Sequence, residues 1–173
     1  MTISRRDMMA AGLSMPLVTL GSPAAAALQA VVVETSAGRV RGARAGRVAR
    51  FLGIRYGQPT ATRRFQPPQR AAPWRGIRDA LDYGNQSPQL SIGLADAPIL
   101  RGFAIDRPAS EDCLFLNLWT AGIGDSGQRP VMVWLHGGGF VAGSGASVPY
   151  DGTRLAERRD VVVVTVNHRL GLF

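Results

Sequence analysis

Residues 131–140 have the sequence VMVWLHGGGF. The first half is an unbroken apolar run, which is typical of a buried β-strand. The second half places three consecutive glycines directly after His136, and glycine lacks the Cβ that would block close approach or a positive φ. A strand that ends in such a turn presents backbone N–H groups that can stabilise a negative charge developing on oxygen. We therefore predict a strand followed by an anion-stabilising turn.

Two further apolar runs, at residues 113–119 and 161–166, are also predicted to be buried strands. The segment at residues 151–159 has helical spacing, and a helix there would be the crossover that two parallel strands require. Asp151 stands where it could cap the start of that helix. The second half of the chain is therefore expected to begin a sheet with at least one crossover helix.

The first half of the chain predicts an antiparallel ribbon. Short β-branched segments at residues 30–35 and 38–42 are separated by a small-residue turn. A third extended segment follows at 48–56, and the prolines within 65–68 exclude a helix interior or a central strand there. We predict an α/β fold in which this ribbon precedes the first strands of a mixed central sheet. The valine-rich run at 161–166 is expected to be an uncovered edge of that sheet.

Composition argues against several classes of ligand. All 20 basic residues are arginines, the formal net charge is +8, and eleven arginines lie within residues 39–78. A basic surface can attract phosphate backbones, but no aromatic stacking pattern accompanies these arginines, so a solvated face with some ion pairs is favoured over nucleic-acid binding. Two distant histidines and one cysteine do not make a metal ligand set, and we expect no cofactor.

Residues 1–27 are predicted to be a bacterial twin-arginine export signal. Arg5 and Arg6 precede a modest apolar stretch that ends at Leu20 and is followed by four alanines. That stretch is too short to span a bilayer, so cleavage near Ala26 is favoured over a stable membrane anchor. We expect a protein that is exported to the periplasm or secreted.

Five separated motifs resemble the type-B carboxylesterases and the cholinesterase relatives of the α/β-hydrolase superfamily. The block EDCLFLNL distinguishes this family from other esterases that share the glycine turn. The resemblance implies that residues 28–173 are the N-terminal part of an α/β-hydrolase domain, ending before the nucleophile elbow. The five motifs lie at residues 51–56, 64–65, 111–118, 136–140 and 167–171.

The resemblance implies a serine carboxylic-ester hydrolase that acts on a small-molecule ester through an acyl-enzyme. Gly138 and Gly139 would supply two N–H groups of its oxyanion hole. No G-x-S-x-G turn occurs in the 173 residues, and neither His136 nor His168 is a good candidate for the general base. The catalytic triad is therefore expected outside this chain, which alone would be inactive. The alternative is a non-catalytic cholinesterase-like binding or adhesion domain; the oligomeric state is not predicted.

The resemblance also implies a structural ion pair between Arg64 and Glu111. The adjacent carboxylates of Glu111 and Asp112 could instead suggest the acid/base pair of a glycosidase. Neighbours on a strand point to opposite faces, however, so they could not flank one scissile bond. Arg169 would likewise seek an acidic partner, beyond the end of the chain.

Cys113 aligns with a family cysteine that usually closes a disulfide across the preceding loop. Ser87 occupies the expected partner position, so Cys113 is predicted to be a buried and inert thiol. Without that disulfide, the long excursion at residues 87–110 is expected to be held by packing alone.

Overall fold

The structure is a computed structural model that describes residues 28–90, 98–103 and 107–173. The predicted export signal at residues 1–27 lies outside the described residues. Within those residues, no helix has both the length and the apolar character needed to cross a membrane.

Strands dominate the described part of the chain. They are β1 Gln29–Thr35, β2 Gly38–Ala45, β3 Val48–Arg55, β4 Ile77–Asp79, β5 Phe115–Thr120, β6 Val131–Leu135 and β7 Val162–Val166. The helical segments are the α-helix α1 Thr153–Arg159 and short 3₁₀ turns at Ala61–Arg63, Pro98–Phe103 and Val148–Tyr150. All seven strands join one sheet in the order β1-β2-β3-β5-β7-β6, with β4 paired to β2.

The predicted antiparallel ribbon is confirmed. β1 and β2 pair antiparallel in a continuous register from Gln29↔Arg44 to Thr35↔Gly38. The Thr35 hydroxyl accepts hydrogen bonds from the N–H groups of Ala37 and Gly38, each at 3.2 Å, and thereby stabilises the tight turn. β2 then pairs antiparallel with β3, which carries the ribbon into the central sheet.

The mixed central sheet and its crossover helix are also confirmed. β5 pairs antiparallel with both β3 and β7, whereas β6 and β7 run parallel. Parallel neighbours need a crossover, and α1 lies between these two strands in the chain. The residue at the cap position of α1 is Gly152 rather than Asp151. The Asp151 carboxylate nevertheless accepts the N–H of Thr153 at 2.9 Å and so stabilises the start of the helix.

The predicted edge of the sheet is wrong. β7 lies between β5 and β6, and its Val163 and Val164 are buried, at 4% and 9% exposed. The edge is β6, whose five side chains are 44% to 66% exposed, so the predicted burial of residues 131–135 is also wrong. The crossover through α1 places β7 between β5 and β6, so within the described residues β6 pairs with β7 alone. The β6 side chains are exposed because α1 packs mainly against β3, β5 and β7.

A buried polar contact crosses the centre of the sheet. The β3–β5 register shifts between Phe51 and Ile54, which marks a β-bulge. At this bulge the N–H of Gly53 donates to the Asn117 side-chain oxygen at 2.9 Å. The Asn117 amide in turn donates to the Thr165 hydroxyl at 2.9 Å. The amide therefore joins β3, β5 and β7 through satisfied polar groups.

Apolar cores lie on the faces of the sheet, one of them formed by α1 against Trp119 and Val163.

The sheet brings two connecting segments together at the same end of its strands. Because β6 and β7 are parallel, the residues that follow each strand leave the sheet at the same end. The glycine turn after Leu135 and the segment 167–171 after β7 are brought together in this way.

Candidate active site

The glycine turn begins where sheet pairing ends. The last pair of the β6–β7 register is Leu135↔Val166, so the ladder does not use the glycine N–H groups. Within the described residues, neither Gly138 nor Gly139 donates a backbone hydrogen bond, and both are exposed. Free and accessible N–H groups on a fixed backbone are what stabilisation of an oxyanion requires.

The turn has a backbone that glycine accommodates. Gly138 and Gly139 have φ values of +117° and +61°. The Gly138 carbonyl accepts the N–H groups of Val141 and Ala142 at 3.0 and 3.3 Å, which closes the turn on itself. A Cβ at Gly138 would collide with the backbone oxygen of Ala142. The conformation that leaves the two N–H groups free therefore depends on the absence of a side chain at position 138.

Residues after β7 hold both ends of this turn. The His168 ring stacks on the His136 ring, and it also contacts the Phe140 ring with centroids 5.6 Å apart. The N–H of Gly171 donates to the Phe140 carbonyl at 2.7 Å. His136 is buried, and its Nδ1 lies 2.9 Å from the Gly137 carbonyl. Burial is the main cause that lowers the pKa of His136, which favours a neutral ring beside the turn.

Asn167 is a buried organising residue that sequence reasoning missed. Its side-chain oxygen accepts the Ser144 hydroxyl at 2.9 Å and the Gly145 N–H at 2.7 Å. Its amide donates to the Asn85 carbonyl at 2.9 Å, and its own carbonyl accepts the Tyr56 hydroxyl at 2.6 Å. The only available signal was an asparagine directly after an apolar strand, within the motif at 167–171. Asn167 thereby fixes the loop that follows the glycine turn.

The two adjacent carboxylates bind different arginines. The Arg64 guanidinium lies against Glu111, with its Nε 3.1 and 2.9 Å from the two carboxylate oxygens. Arg55 instead binds Asp112, with Nη2 at 2.8 Å from Oδ2. The hydrogen bond with Arg64 lowers the pKa of Glu111. Both acids precede β5 rather than lying on it, so the argument that strand neighbours point to opposite faces is wrong here. Each carboxylate instead binds its own arginine.

Cys113 is a free, fully buried thiol beside Ser87. Burial raises the pKa of Cys113, and a hydrogen bond with the Ser87 side chain partly opposes that rise. The Ser87 hydroxyl also accepts the N–H of Leu170 at 3.1 Å. A buried thiol with a raised pKa is a poor nucleophile.

Arg169 was expected to have an acidic partner. Its guanidinium instead donates to the Gln66 carbonyl at 2.9 Å.

The base of the long excursion is closed by hydrogen bonds, so the expectation that packing alone holds it is wrong. The Gln86 N–H donates to the Pro108 carbonyl at 3.0 Å, and the Gln86 carbonyl accepts the Ser110 N–H at 2.9 Å. The Gln86 side chain adds a hydrogen bond to the Arg107 carbonyl at 2.8 Å. Residues 91–97 and 104–106 of the excursion lie outside the described part of the chain. Backbone pairing thus closes the base of this loop, and Cys113 is a free thiol.

The described residues present no cluster of metal-ligating side chains. They contain no group of three or more His, Cys, Asp or Glu side chains that could hold one. The rings of His136 and His168 are stacked face to face. Stacked imidazoles do not direct their nitrogen lone pairs, which lie in the ring planes, at a common point between them.

Comparisons with known proteins place most of the chain in one family. A profile of the carboxylesterase family matches residues 29–173. Phenmedipham hydrolase from Pseudarthrobacter oxydans is 40% identical over 141 residues, covering 81% of this chain and 28% of that protein. Neuroligin-2 from Mus musculus is 37% identical over 178 residues, covering 82% of this chain and 21% of that protein.

A crystal structure of a Geobacillus stearothermophilus carboxylesterase superposes on this fold with a TM-score of 0.71 at 40% identity. The superposition covers 82% of this chain and 27% of that one. The chain thus spans about a quarter of the length of these relatives. The profile, the relatives and the solved structure all match most of the chain, and we conclude that the chain belongs to the carboxylesterase family.

Proposed function

We propose that this chain supplies the oxyanion-binding turn of a carboxylic-ester hydrolase, with the N–H groups of Gly138 and Gly139 as donors. The observation that carries the proposal is that both glycines are exposed and that neither N–H group makes a hydrogen bond within the described residues. A preorganised donor needs no reorientation as charge develops, and the loss of one typically raises the barrier by about 3 kcal/mol. The turn is therefore assigned a catalytic role.

In the proposed reaction, a serine attacks the carbonyl carbon of a small-molecule ester, and the carbonyl oxygen becomes an oxyanion held by the turn. The alcohol then leaves, and water hydrolyses the acyl-enzyme. The serine, the acid and the histidine base would come from outside residues 1–173. The names of two relatives, phenmedipham hydrolase and carboxylesterase, support hydrolytic chemistry.

Four residues are assigned structural roles under this proposal. Arg64 and Glu111 orient the segment that precedes β5, and their contact supports that role. Arg169 ties the segment that follows β7 to the proline-containing stretch at residues 65–68, through the Gln66 carbonyl. Cys113 fills space beneath the excursion and takes no part in the chemistry.

The test compares residues 1–173 with the protein expressed from the complete reading frame that contains them. The complete protein should hydrolyse p-nitrophenyl acetate with saturable kinetics and should be labelled by a fluorophosphonate, which reacts with activated serines. Residues 1–173 should show neither property. Saturable hydrolysis by residues 1–173 would refute the assignment of the nucleophile to another region. A complete protein that neither hydrolyses the ester nor takes the label would refute the hydrolase.

A second candidate is a non-catalytic binding or adhesion domain on the same scaffold. The similarity to neuroligin-2, at 37% identity, is the observation that supports this second candidate. The two candidates differ at the serine position of the G-x-S-x-G nucleophile elbow in the complete reading frame. A serine there together with fluorophosphonate labelling supports the hydrolase, and a substituted residue without labelling supports the binding domain.

We also propose that residues 1–27 direct twin-arginine export to the bacterial periplasm or beyond. Paired substitution of Arg5 and Arg6 by lysine keeps the charge but removes the arginine pair that defines the signal. The variant should accumulate in the cytoplasm with its signal uncleaved, whereas the wild type should be found shortened in the periplasm or the medium. Equal export of both proteins would contradict the proposal.

A further inference from the structure

The side-chain amide of Gln89 makes a two-point contact with the backbone of Gly143. Its oxygen accepts the Gly143 N–H at 2.7 Å, and its nitrogen donates to the Gly143 carbonyl at 3.1 Å. One planar amide thus satisfies both polar groups of one residue, as a neighbouring β-strand would. Such a pair fixes the position and the orientation of the Gly143 backbone together.

Gly143 is in direct contact with the start of the glycine turn. Its φ is +120°, and a Cβ there would collide with the His136 ring and lie 2.6 Å from the Gly137 carbonyl. The Gly143 backbone therefore packs against the two residues that lead into Gly138. Any movement of Gly143 moves the residues that orient the proposed oxyanion donors.

Gln89 is itself held in place. Its nitrogen also lies 3.1 Å from the Gln86 side-chain oxygen and 3.2 Å from the Ser87 carbonyl. Gln86 forms the hydrogen-bonded base of the excursion. The contact with Gly143 thus joins that base to the glycine turn across 54 positions of sequence.

We infer that Gln89 is a positioning residue for the oxyanion-binding turn and acts on catalysis only through Gly143. This inference rests on the proposed function, since it assigns a role within that site. The His168 stack and the Gly171 hydrogen bond support the turn from the β7 side. Gln89 supports the same turn from the start of the excursion, through its two hydrogen bonds with Gly143.

The test uses the protein from the complete reading frame and compares Gln89→Met with Gln89→Glu. Methionine keeps the length of the side chain and removes both hydrogen bonds, whereas glutamate keeps the acceptor for the Gly143 N–H. The matched control is Gln128→Met, because Gln128 is exposed and makes no hydrogen bond within the described residues. The assays are ester hydrolysis, thermal unfolding and inhibition by a trifluoromethyl ketone, whose serine adduct carries an oxyanion.

For Gln89→Met we expect kcat to fall roughly 10- to 100-fold while KM stays within about twofold. The inhibition constant of the ketone should rise by a similar factor. Gln89→Glu should also lower kcat, because its second carboxylate oxygen would face the acceptor oxygens of Gln86, Ser87 and Gly143. Gln128→Met should match the wild type.

Unchanged kcat in Gln89→Met would overturn the inference. So would a loss of activity that a drop in folded protein fully explains, with an unchanged ketone constant for the folded fraction. A wild-type protein that neither hydrolyses esters nor takes the fluorophosphonate would refute the proposed function, and the inference with it. Loss confined to Gln89→Met leaves the proposed function standing.

Discussion

The imidazole ring of His168 lies parallel to that of His136, with 4.4 Å between the ring centroids and 7° between the planes. This contact joins the segment that follows β7 to the first residue of the glycine turn. Burial lowers the pKa of the His136 ring, and His168 contributes to lowering it.

Acid should therefore weaken the fold through His136. Burial lowers the pKa of His136 below 6.5; the contact with the Gly137 carbonyl opposes this shift, and His168 adds to it. The folded state then binds fewer protons than the unfolded state, so stability is complete above pH 6.5 and is lost as pH falls toward the folded-state pKa. Urea unfolding on both sides of that pH measures the loss.

His168→Phe is the matched control for this pH dependence, because it keeps the ring and removes the charge. The NMR titration midpoint of His136 should move upward in that variant, toward the ordinary value. A His136 midpoint above 6.5 in the wild type would contradict the prediction.

Alanine substitutions in the glycine turn should differ in a fixed order. Gly138→Ala combines a φ of +117° with a collision against the Ala142 backbone, so we expect a loss of about 2 kcal/mol or more. Gly139→Ala has a φ of +61° but open space around it, so about 1 kcal/mol is expected. Gly137→Ala has neither problem and is the control. Chemical denaturation measures the order, and equal losses at positions 137 and 138 would show that the turn adopts another conformation.

Ser87→Cys should create a disulfide with Cys113. The two side chains are buried and hydrogen-bonded to each other, and a cross-link of this span typically contributes about 3 kcal/mol. Oxidised Ser87→Cys should lose its free thiols in a quantitative thiol assay and should unfold at higher urea than the wild type. The same variant under reducing conditions is the control. Two titratable thiols after oxidation would refute the predicted proximity.

Alkaline pH should weaken the fold through Tyr56. Burial raises the pKa of Tyr56 to about 12, and its hydroxyl donates to the Asn167 carbonyl at 2.6 Å. The folded state keeps the phenol neutral, so stability is complete below pH 10 and is lost as pH rises from 10 toward about 12. Tyr56→Phe should remove this loss and should cost about 1 kcal/mol at neutral pH through the missing hydrogen bond.

Burial also raises the pKa of Tyr83, so the phenolate absorbance of the wild type should show two tyrosines that titrate above the ordinary value, and Tyr56→Phe should lose the one that titrates at about 12. Asn167 anchors the loop after the glycine turn, so the same variant reports on that anchor. A Tyr56 that titrates at its ordinary value would contradict the buried contact.

Local sequence determined the elements of this protein. The apolar run at residues 131–135, the glycines after it and the helical spacing before β7 each correspond to an observed element. Such patterns are readable because strand, turn and helix preferences act within a few residues. The motif at residues 111–118 also identified the family, and the family profile confirms it.

Tertiary structure decided which strand is the edge and what supports the turn. Hydrophobicity marks β6 and β7 alike, yet only the path of the crossover places β7 inside the sheet and leaves β6 exposed. The contact of Gln89 with Gly143 joins residues 54 positions apart, and the stack of His168 on His136 likewise joins separate segments of the chain. No local pattern encodes such contacts, because they depend on how the whole sheet brings the ends of its strands together.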